Sequence, residues 1–188
     1  MKRTVFCIGL GGTASAEYGV TDQIKSGVSE FESFHPAFVE IIKTIDAAGS
    51  SVDFAQVALF QKDSNEITPE DIRKVKDVVE ATEYRHIIVE CGLDKMVDIA
   101  KEFKDYEKTI VFTGSTIPEE QEGTEYRFNF GMALGASQLL PPGAYIAMNA
   151  AILPVDNAVR DIKTGIFEKV GQNRNDHGKI IPLISYGF

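Results

Sequence analysis

Residues 4–13, TVFCIGLGGT, join a short apolar run to a glycine-rich turn. An apolar run of this length that ends in glycines is typical of a buried strand, and its next side chain lies at the carboxyl end of a sheet. Open α/β folds bind ligands at that edge, and glycines there let backbone N–H groups approach an anion or oxyanion. Any strand-to-helix turn also favours glycine. Thr13 is the best candidate nucleophile in the chain.

Four further apolar runs are continuous rather than alternating, as in parallel strands that are covered on both faces. They lie at residues 57–60, 86–89, 109–113 and 145–148. Apolar residues with helical spacing separate them, around residues 37–45, 72–79, 96–103 and 128–140. This alternation predicts an α/β fold with a doubly wound, mainly parallel sheet and helices on both faces.

Two connecting segments stand out. Thr68 reads as a helix N-cap followed by Pro69 at the first helical position, which predicts a loop over residues 61–67. Residues 14–33 carry Gly19 and Gly27 and have no helical period, so we expect a long mobile loop beside Thr13. Its position favours a lid over a site, with a loop of no function as the alternative.

Length and charge limit the classes of protein that fit. At 188 residues and 44% hydrophobic content, we expect one domain over residues 1–188. A net charge of -9 argues against a nucleic-acid partner and favours a small polar ligand. No stretch approaches the length that spans a membrane, and glycines interrupt the signal-like N-terminus. A cytoplasmic protein that does not bind membranes is expected.

Cysteines and histidines are few. Cys7 and Cys91 lie in strand-like runs, where we expect buried, reduced thiols. The three histidines, His35, His86 and His177, are far apart and lack metal-ligand spacing. No metal and no cofactor are predicted.

Polar residues follow several predicted strands at the edge where parallel strands end. Thr13, Ser64, Asp94 and Ser115 lie in these loops and are expected to converge. A dinucleotide fingerprint is a weak alternative for residues 9–14, which fit G-x-G-x-x-A. That fingerprint needs a helix that begins within the turn, and residues 14–30 lack the period for one.

Four segments in order resemble the N-terminal domain of bacterial-type L-asparaginases. They are Gly11-Gly12-Thr13, then residues 63–71 (DSNEITPED), residues 108–118 (KTIVFTGSTIP) and residues 145–149 (YIAMN). The resemblance runs through nearly the whole chain. It implies hydrolysis of the side-chain amide of an asparagine-like amino acid, with release of ammonia.

The resemblance also implies roles for individual residues. Thr13 would be the acylating nucleophile, Tyr18 the lid tyrosine that assists it, and Asp94 the aspartate of the activating set. Ser64 would hold the substrate's α-carboxylate. The substrate-binding positions are Gly12, Ser64, Asn65, Glu66, Leu93 and Ser115.

Two activating positions depart from the family's pattern. The motif His-Gly-Thr-Asp-Thr is replaced by residues 91–95, CGLDK, so Leu93 stands at the second threonine and cannot relay a proton. Arg160 falls at the family's lysine and stays protonated. Lys95 or Lys163 are candidate replacements for that base, and losing it costs roughly a hundred- to ten-thousandfold in rate.

These departures leave two functions open. One is a slow amidohydrolase; the other is a degenerate relative that binds aspartate, asparagine or a similar small molecule without hydrolysing it. Asp94 would then pair with an α-ammonium group, although its local sequence predicts an N-cap for a helix over residues 94–104.

The resemblance covers only the N-terminal domain. Relatives carry a C-terminal domain that completes the neighbouring protomer's site, and residues 179–186 resemble the short strand before it. We therefore expect an assembly that differs at the site. A homodimer through the N-domain surface is one expectation, and a separately encoded second domain is the other.

Overall fold

A six-stranded sheet forms the centre of the fold, as the computed structural model of residues 2–15 and 36–171 shows. Its order is β2-β1-β3-β4-β5-β6; the first five strands are parallel and β6 is antiparallel. The strands are β1 Arg3–Gly9, β2 Val52–Ala58, β3 His86–Glu90, β4 Thr109–Thr113, β5 Gly143–Met148 and β6 Ala151–Pro154. A separate two-stranded ribbon contains β7 Ala158–Arg160 and β8 Phe167–Lys169. The predicted mainly parallel sheet is confirmed.

Helices cover both faces of this sheet. They are α1 Phe38–Ala47, α2 Pro69–Ala81, α3 Met96–Lys101 and α4 Tyr126–Leu139. Side chains alternate along β1, so that Phe6 and Ile8 pack in the layer of α2 and α3. Val5 and Cys7 pack in the layer of α1 and α4. Continuous apolar runs therefore supply two core layers from the same strands.

The predicted start of α2 is confirmed. Thr68 accepts a hydrogen bond from the backbone N–H of Asp71, and the Asp71 carboxylate accepts one from the backbone N–H of Thr68 at 2.9 Å. This reciprocal arrangement satisfies helix N–H groups that have no partner within the helix. Pro69 occupies the first turn, where its missing N–H costs nothing.

Several boundaries differ from the predictions. β2 begins at Val52, ahead of the apolar run at 57–60, because an edge strand that is half exposed tolerates Asp53 and Gln56. The predicted loop over 61–67 contains a 3-10 turn, Ser64–Glu66. Of the long loop predicted over 14–33, residues 14 and 15 belong to the 3-10 turn Thr13–Ser15, and the remainder lies outside the described residues. Tyr18 and residues 179–186 also lie outside them.

The predicted N-cap role of Asp94 is wrong. Helix α3 begins after Lys95, which has no side-chain cap, and it ends at Lys101. The Asp94 carboxylate instead accepts hydrogen bonds from Asn65 and Arg160. Contacts with other loops thus replace the local cap that the sequence favoured, because side-chain donors from two other segments reach the carboxylate.

Both cysteines are buried and unpaired, as predicted. Burial raises the pKa of the Cys7 and Cys91 thiols, and the neighbouring Glu90 carboxyl adds to the effect. Within residues 2–15 and 36–171, no cluster of side chains suited to a metal ion is found. The helices in the same part of the chain are too short or too polar to cross a bilayer.

Candidate active site

The sheet has a topological switch point between β1 and β3. From β1 the chain goes to the edge strand β2 and then returns to β3 on the other side of β1. The crevice outside the carboxyl ends of the two strands at such a point is the usual ligand site of an open α/β sheet. Gly9 is in register with Glu90, so the chain leaves both strands side by side. The loops that carry Thr13 and Asp94 begin here.

Glycines allow three loops to touch at this point. Gly12 has a φ of 94°, and a Cβ at this position would lie 2.4 Å from the backbone nitrogen of Gly92. A Cβ at Gly92 would lie 3.0 Å from Ser64 Oγ. Side chains at either glycine would collide with a neighbouring loop. The loops after β1, β2 and β3 are therefore in direct contact.

The turn that carries Thr13 is held by its neighbours. Thr13 is half-buried and is the first residue of the 3-10 turn Thr13–Ser15. The carbonyl of Ala14 accepts a hydrogen bond from the backbone N–H of Glu119 at 3.0 Å. The carbonyl of Ser15 accepts one from Gln61 Nε2 at 3.2 Å, and the Ser15 hydroxyl donates to Glu90. The last residue of β3 and the loops after β2 and β4 thus support the turn.

Ser64 and its neighbours form the second part of the site. Ser64 is 2% exposed, and its Oγ accepts a hydrogen bond from the backbone N–H of Lys95 at 3.2 Å. Asn65 Nδ2 donates to Asp94 at 2.9 Å. Glu66 completes a capping box with Asp63, so its side chain supports the turn. The loop after β2 is consequently fastened to the loop after β3.

Asp94 forms an ion pair with Arg160. The distance from Arg160 Nη1 to Asp94 Oδ1 is 2.7 Å, and the Asp94 side chain is half exposed while that of Arg160 is 23% exposed. The Arg160 guanidinium lies 6.0 Å from the centre of the Phe167 ring. The structure thus brings together Asp94, Asn65 and Arg160.

Lys95 and Lys163 are the two lysines predicted as replacement bases. Lys95 Nζ is paired with Asp98 at 3.8 Å. Lys163 is exposed between β7 and β8. In the described part of the chain, neither amine forms a hydrogen bond or ion pair with Asp94.

Leu93 and Ser115 are buried beneath the loops. A Cβ at Gly114 would lie 3.0 Å from Leu93 Cδ2, which places Leu93 against the loop after β4. The Ser115 hydroxyl donates to the carbonyl of Ile117 at 2.5 Å. Ser115 is 1% exposed and its hydroxyl proton is committed to its own turn. Both residues therefore contribute packing and loop structure beneath the switch point.

Glu90 was not predicted as part of the site. It ends β3, is fully buried and accepts hydrogen bonds from the hydroxyls of Ser15 and Tyr126. Burial raises the pKa of Glu90, and these hydrogen bonds oppose the rise. A carboxyl group at the end of an otherwise apolar strand was the sequence signal that could have found it.

The fold and these contacts define an α/β domain in which the loops that carry Thr13, Ser64 and Asp94 meet at the switch point of the sheet. A family model, "Asparaginase, N-terminal", matches residues 4–171. The chain therefore belongs to the asparaginase family, through its N-terminal domain. No curated protein matches the sequence significantly.

Solved structures of L-asparaginases share the fold. The thermostable L-asparaginase from Thermococcus kodakarensis has 20% identity and a TM-score of 0.68, covering 88% of this chain and 51% of that one. L-asparaginase I from Vibrio cholerae has 17% identity and a TM-score of 0.71, covering 90% and 52%. A probable cytoplasmic L-asparaginase from Campylobacter jejuni has 18% identity and a TM-score of 0.65, covering 85% and 48%. The chain spans about half the length of these relatives.

Proposed function

We propose that this protein is an asparaginase-like amidohydrolase whose nucleophile is the Thr13 hydroxyl. One observation carries the proposal: the Thr13 turn is in direct contact with the loops of Ser64 and Asp94 at the switch point. That juxtaposition supplies a nucleophile, a hydroxyl and a carboxylate beside one crevice. Membership of the asparaginase family supports the same reaction class.

The reaction would proceed in two steps. Thr13 Oγ attacks the carbonyl carbon of the side-chain amide, and the C–N bond breaks as the hydroxyl proton goes to the leaving ammonia. The resulting ester is then hydrolysed by water, which releases a carboxylate product and restores the hydroxyl. A threonine hydroxyl is weak at its free pKa and needs a base for the first step.

The remaining residues would bind the amino-acid part of the substrate. Ser64 and backbone N–H groups of the glycine turn would hold the α-carboxylate, and Asp94 would pair with the α-ammonium group. Asn65 would orient Asp94, given their 2.9 Å contact. Gly12, Glu66, Leu93 and Ser115 would shape the crevice. Tyr18 would assist Thr13, as the family resemblance implies.

We propose that turnover is slow. Leu93 has no proton to relay, and Arg160 remains protonated and already pairs with Asp94. Lys95 and Lys163 are the candidate replacement bases, and Lys95 would first have to leave Asp98. Missing general-base help lowers a rate by roughly a hundred- to ten-thousandfold.

A second candidate function is binding without hydrolysis. The Arg160–Asp94 ion pair, together with the buried Leu93, favours it because neither Arg160 nor Leu93 can accept the Thr13 proton. The ligand would be aspartate, asparagine or a similar small amino acid. Thr13 would then affect affinity only modestly.

Ammonia release separates the two candidates. The purified protein is incubated with millimolar asparagine and glutamine, with Thr13→Ala as the matched control and a thermal-shift titration with aspartate in parallel. Release that disappears in Thr13→Ala supports the hydrolase. A shift in melting temperature with aspartate, without ammonia release, supports the binding protein. The absence of both signals would contradict both candidate functions.

The state of assembly belongs to the same proposal. We propose a cytoplasmic protein that acts as a homodimer and that binds neither nucleic acid nor membrane. Light scattering after size exclusion would give the mass of the particle. A monomer that is fully active alone would contradict the homodimer.

A further inference from the structure

The Glu90 carboxyl group joins three elements at one buried point. Its Oε1 accepts hydrogen bonds from the Ser15 hydroxyl and, at 3.4 Å, from the backbone N–H of Ala37. Its Oε2 accepts from the Tyr126 hydroxyl and, at 3.3 Å, from the backbone N–H of Phe38. The carboxyl group therefore links the Thr13 turn to the beginnings of α1 and α4.

The direction of the Ser15 bond is determined by its partners. Ser15 Oγ accepts a hydrogen bond from the backbone N–H of Ala37 at 2.9 Å. A hydroxyl has one proton to donate, and that proton goes to Glu90. All four contacts of Glu90 come from neutral donors. Ser15 thus depends on Glu90 for its orientation.

Ser15 is in turn coupled to Thr13. The two residues are the ends of one 3-10 turn, which is closed by a hydrogen bond from the backbone N–H of Ser15 to the carbonyl of Gly12 at 3.2 Å. Glu90 lies in the sheet, in register with Gly9 on one side and Thr113 on the other. The Glu90 side chain therefore connects this central strand directly to the turn.

We propose that Glu90 is a positioning residue, which acts through the Ser15 hydroxyl to fix the Thr13 turn in the crevice. Its effect on turnover rests on the proposed amidohydrolase function. Its effect on the geometry of Thr13 does not. A displacement of about 1 Å at a reacting group can cost roughly a hundredfold in rate. Loss of the contact between Glu90 and Ser15 is therefore expected to lower kcat.

The first test measures the geometry of Thr13 without using activity. In protein labelled at threonine methyl groups, the Thr13 resonance is identified by its absence in Thr13→Ser. Glu90→Gln is expected to shift that resonance. In a Ser15→Ala background, the same substitution is expected to cause no further shift, since the connecting hydroxyl is gone. The proposal is overturned if Glu90→Gln does not shift the Thr13 resonance. It is also overturned if Glu90→Gln causes the same shift in the unmodified protein and in the Ser15→Ala background.

A second pair of variants covers the case in which Glu90→Gln does not fold. Ser15→Thr keeps the hydroxyl and Ser15→Ala removes it, so only the alanine variant should displace the Thr13 turn. Where ammonia release is measurable, Ser15→Ala should lower kcat about ten- to a hundredfold with little change in KM. Ser15→Thr should keep most of the kcat of the unmodified protein. Equal losses in the two variants would contradict a role for the hydroxyl.

Thr109→Val is the matched control for loss of a buried hydroxyl. Thr109 Oγ1 donates to the carbonyl of Leu140 at 3.0 Å, at the opposite end of β4 from the crevice. This variant should lose stability without moving the Thr13 resonance, and movement of that resonance would contradict a specific support. The methyl experiment also separates the two proposals: absence of hydrolysis leaves its outcome unchanged.

Discussion

At the scale of single residues, Arg160 and Leu93 bear most directly on the reaction proposed for Thr13. Arg160 contributes a permanent positive charge that holds Asp94 at 2.7 Å. Leu93 contributes packing against the loop after β4 and no exchangeable proton. Among the described residues, Arg160 thus holds the Asp94 carboxylate in place, and neither Arg160 nor Leu93 can accept a proton from Thr13. We therefore expect substitutions of Arg160 and Leu93 to change the rate of any reaction at this site.

The double substitution Leu93→Thr with Arg160→Lys is predicted to raise ammonia release. Under the proposed function, a threonine hydroxyl and an amine that can lose its proton would together supply general-base help, which contributes roughly a hundred- to ten-thousandfold. Initial rates with asparagine would be compared with the unmodified protein. The control is the same pair of changes in a Thr13→Ala background. If the double variant releases ammonia no faster than the unmodified protein, the proposal that Leu93 and Arg160 slow the reaction is contradicted.

At the scale of elements, the beginning of α2 depends on Asp71. Its Oδ2 accepts hydrogen bonds from Lys62 Nζ at 2.6 Å, from Thr68 Oγ1 at 2.7 Å and from the backbone N–H of Thr68 at 2.9 Å. Burial alone would raise the pKa of Asp71, but the bonds from Lys62 and Thr68 outweigh it and lower the pKa to about 2. Ionised Asp71 therefore stabilises the folded state.

Asp71→Asn is predicted to lower the free energy of unfolding by about 1–2 kcal/mol at neutral pH. The folded pKa lies below the unfolded value of about 3.9, so the contribution is present above that pH and is lost as the pH falls toward 2. Urea unfolding across that range should show the difference between the two proteins shrinking. Asp77→Asn, an exposed change in the same helix, is the control, and a difference that is constant with pH would contradict the prediction.

The β5–β6 hairpin contains a strained alanine. Met148 pairs with Ala151, which leaves Asn149 and Ala150 as a two-residue turn with φ values of 52° and 62°. Asparagine tolerates this left-handed conformation, whereas alanine pays roughly 1–2 kcal/mol for it.

Ala150→Gly is therefore predicted to stabilise the protein by about 0.5–1 kcal/mol, after the greater freedom of unfolded glycine is subtracted. Thermal unfolding measures the change. The control is Ala151→Gly, the same substitution one residue later inside β6, which should destabilise by roughly 0.5–1 kcal/mol. Equal effects of the two variants would show that the turn conformation is not the cause.

At the scale of the whole molecule, the two core layers share one sheet. Val5 is fully buried in the layer of α1 and α4, and Val79 is fully buried in the layer of α2 and α3. Every central strand contributes side chains to both layers. If either layer lost its packing, one face of the shared sheet would be exposed to water.

A single cooperative unfolding transition is predicted for that reason. Val5→Ala and Val79→Ala should each lower the stability by about 2 kcal/mol, from lost burial and the cavity that remains. Calorimetry should show one transition that moves as a whole in both variants, with equal calorimetric and van't Hoff enthalpies. Two resolved transitions, each sensitive to only one of the variants, would contradict a shared core.

Much of this fold could be predicted from the sequence because local patterns encode it. Continuous apolar runs predicted buried parallel strands, and Thr68 with Pro69 predicted the start of α2. The rule that such strands end at one edge also predicted that the loops of Thr13, Ser64 and Asp94 would converge. These inferences needed only the strand period, the chemistry of helix caps and the topology of parallel sheets.

The partners of the polar groups were decided by the tertiary structure. Asp94 read locally as a helix N-cap, yet Asn65 and Arg160 bind its carboxylate. Glu90 follows the apolar run at residues 86–89 and carried no prediction, yet its carboxylate accepts a hydrogen bond from Ser15 in the Thr13 turn. A carboxylate takes whichever donors the folded chain brings within hydrogen-bond distance, and here those donors lie tens of residues away in sequence. The sequence alone therefore determined the sheet and the edge at which its polar loops meet, and only folding determined which side chains come into contact there.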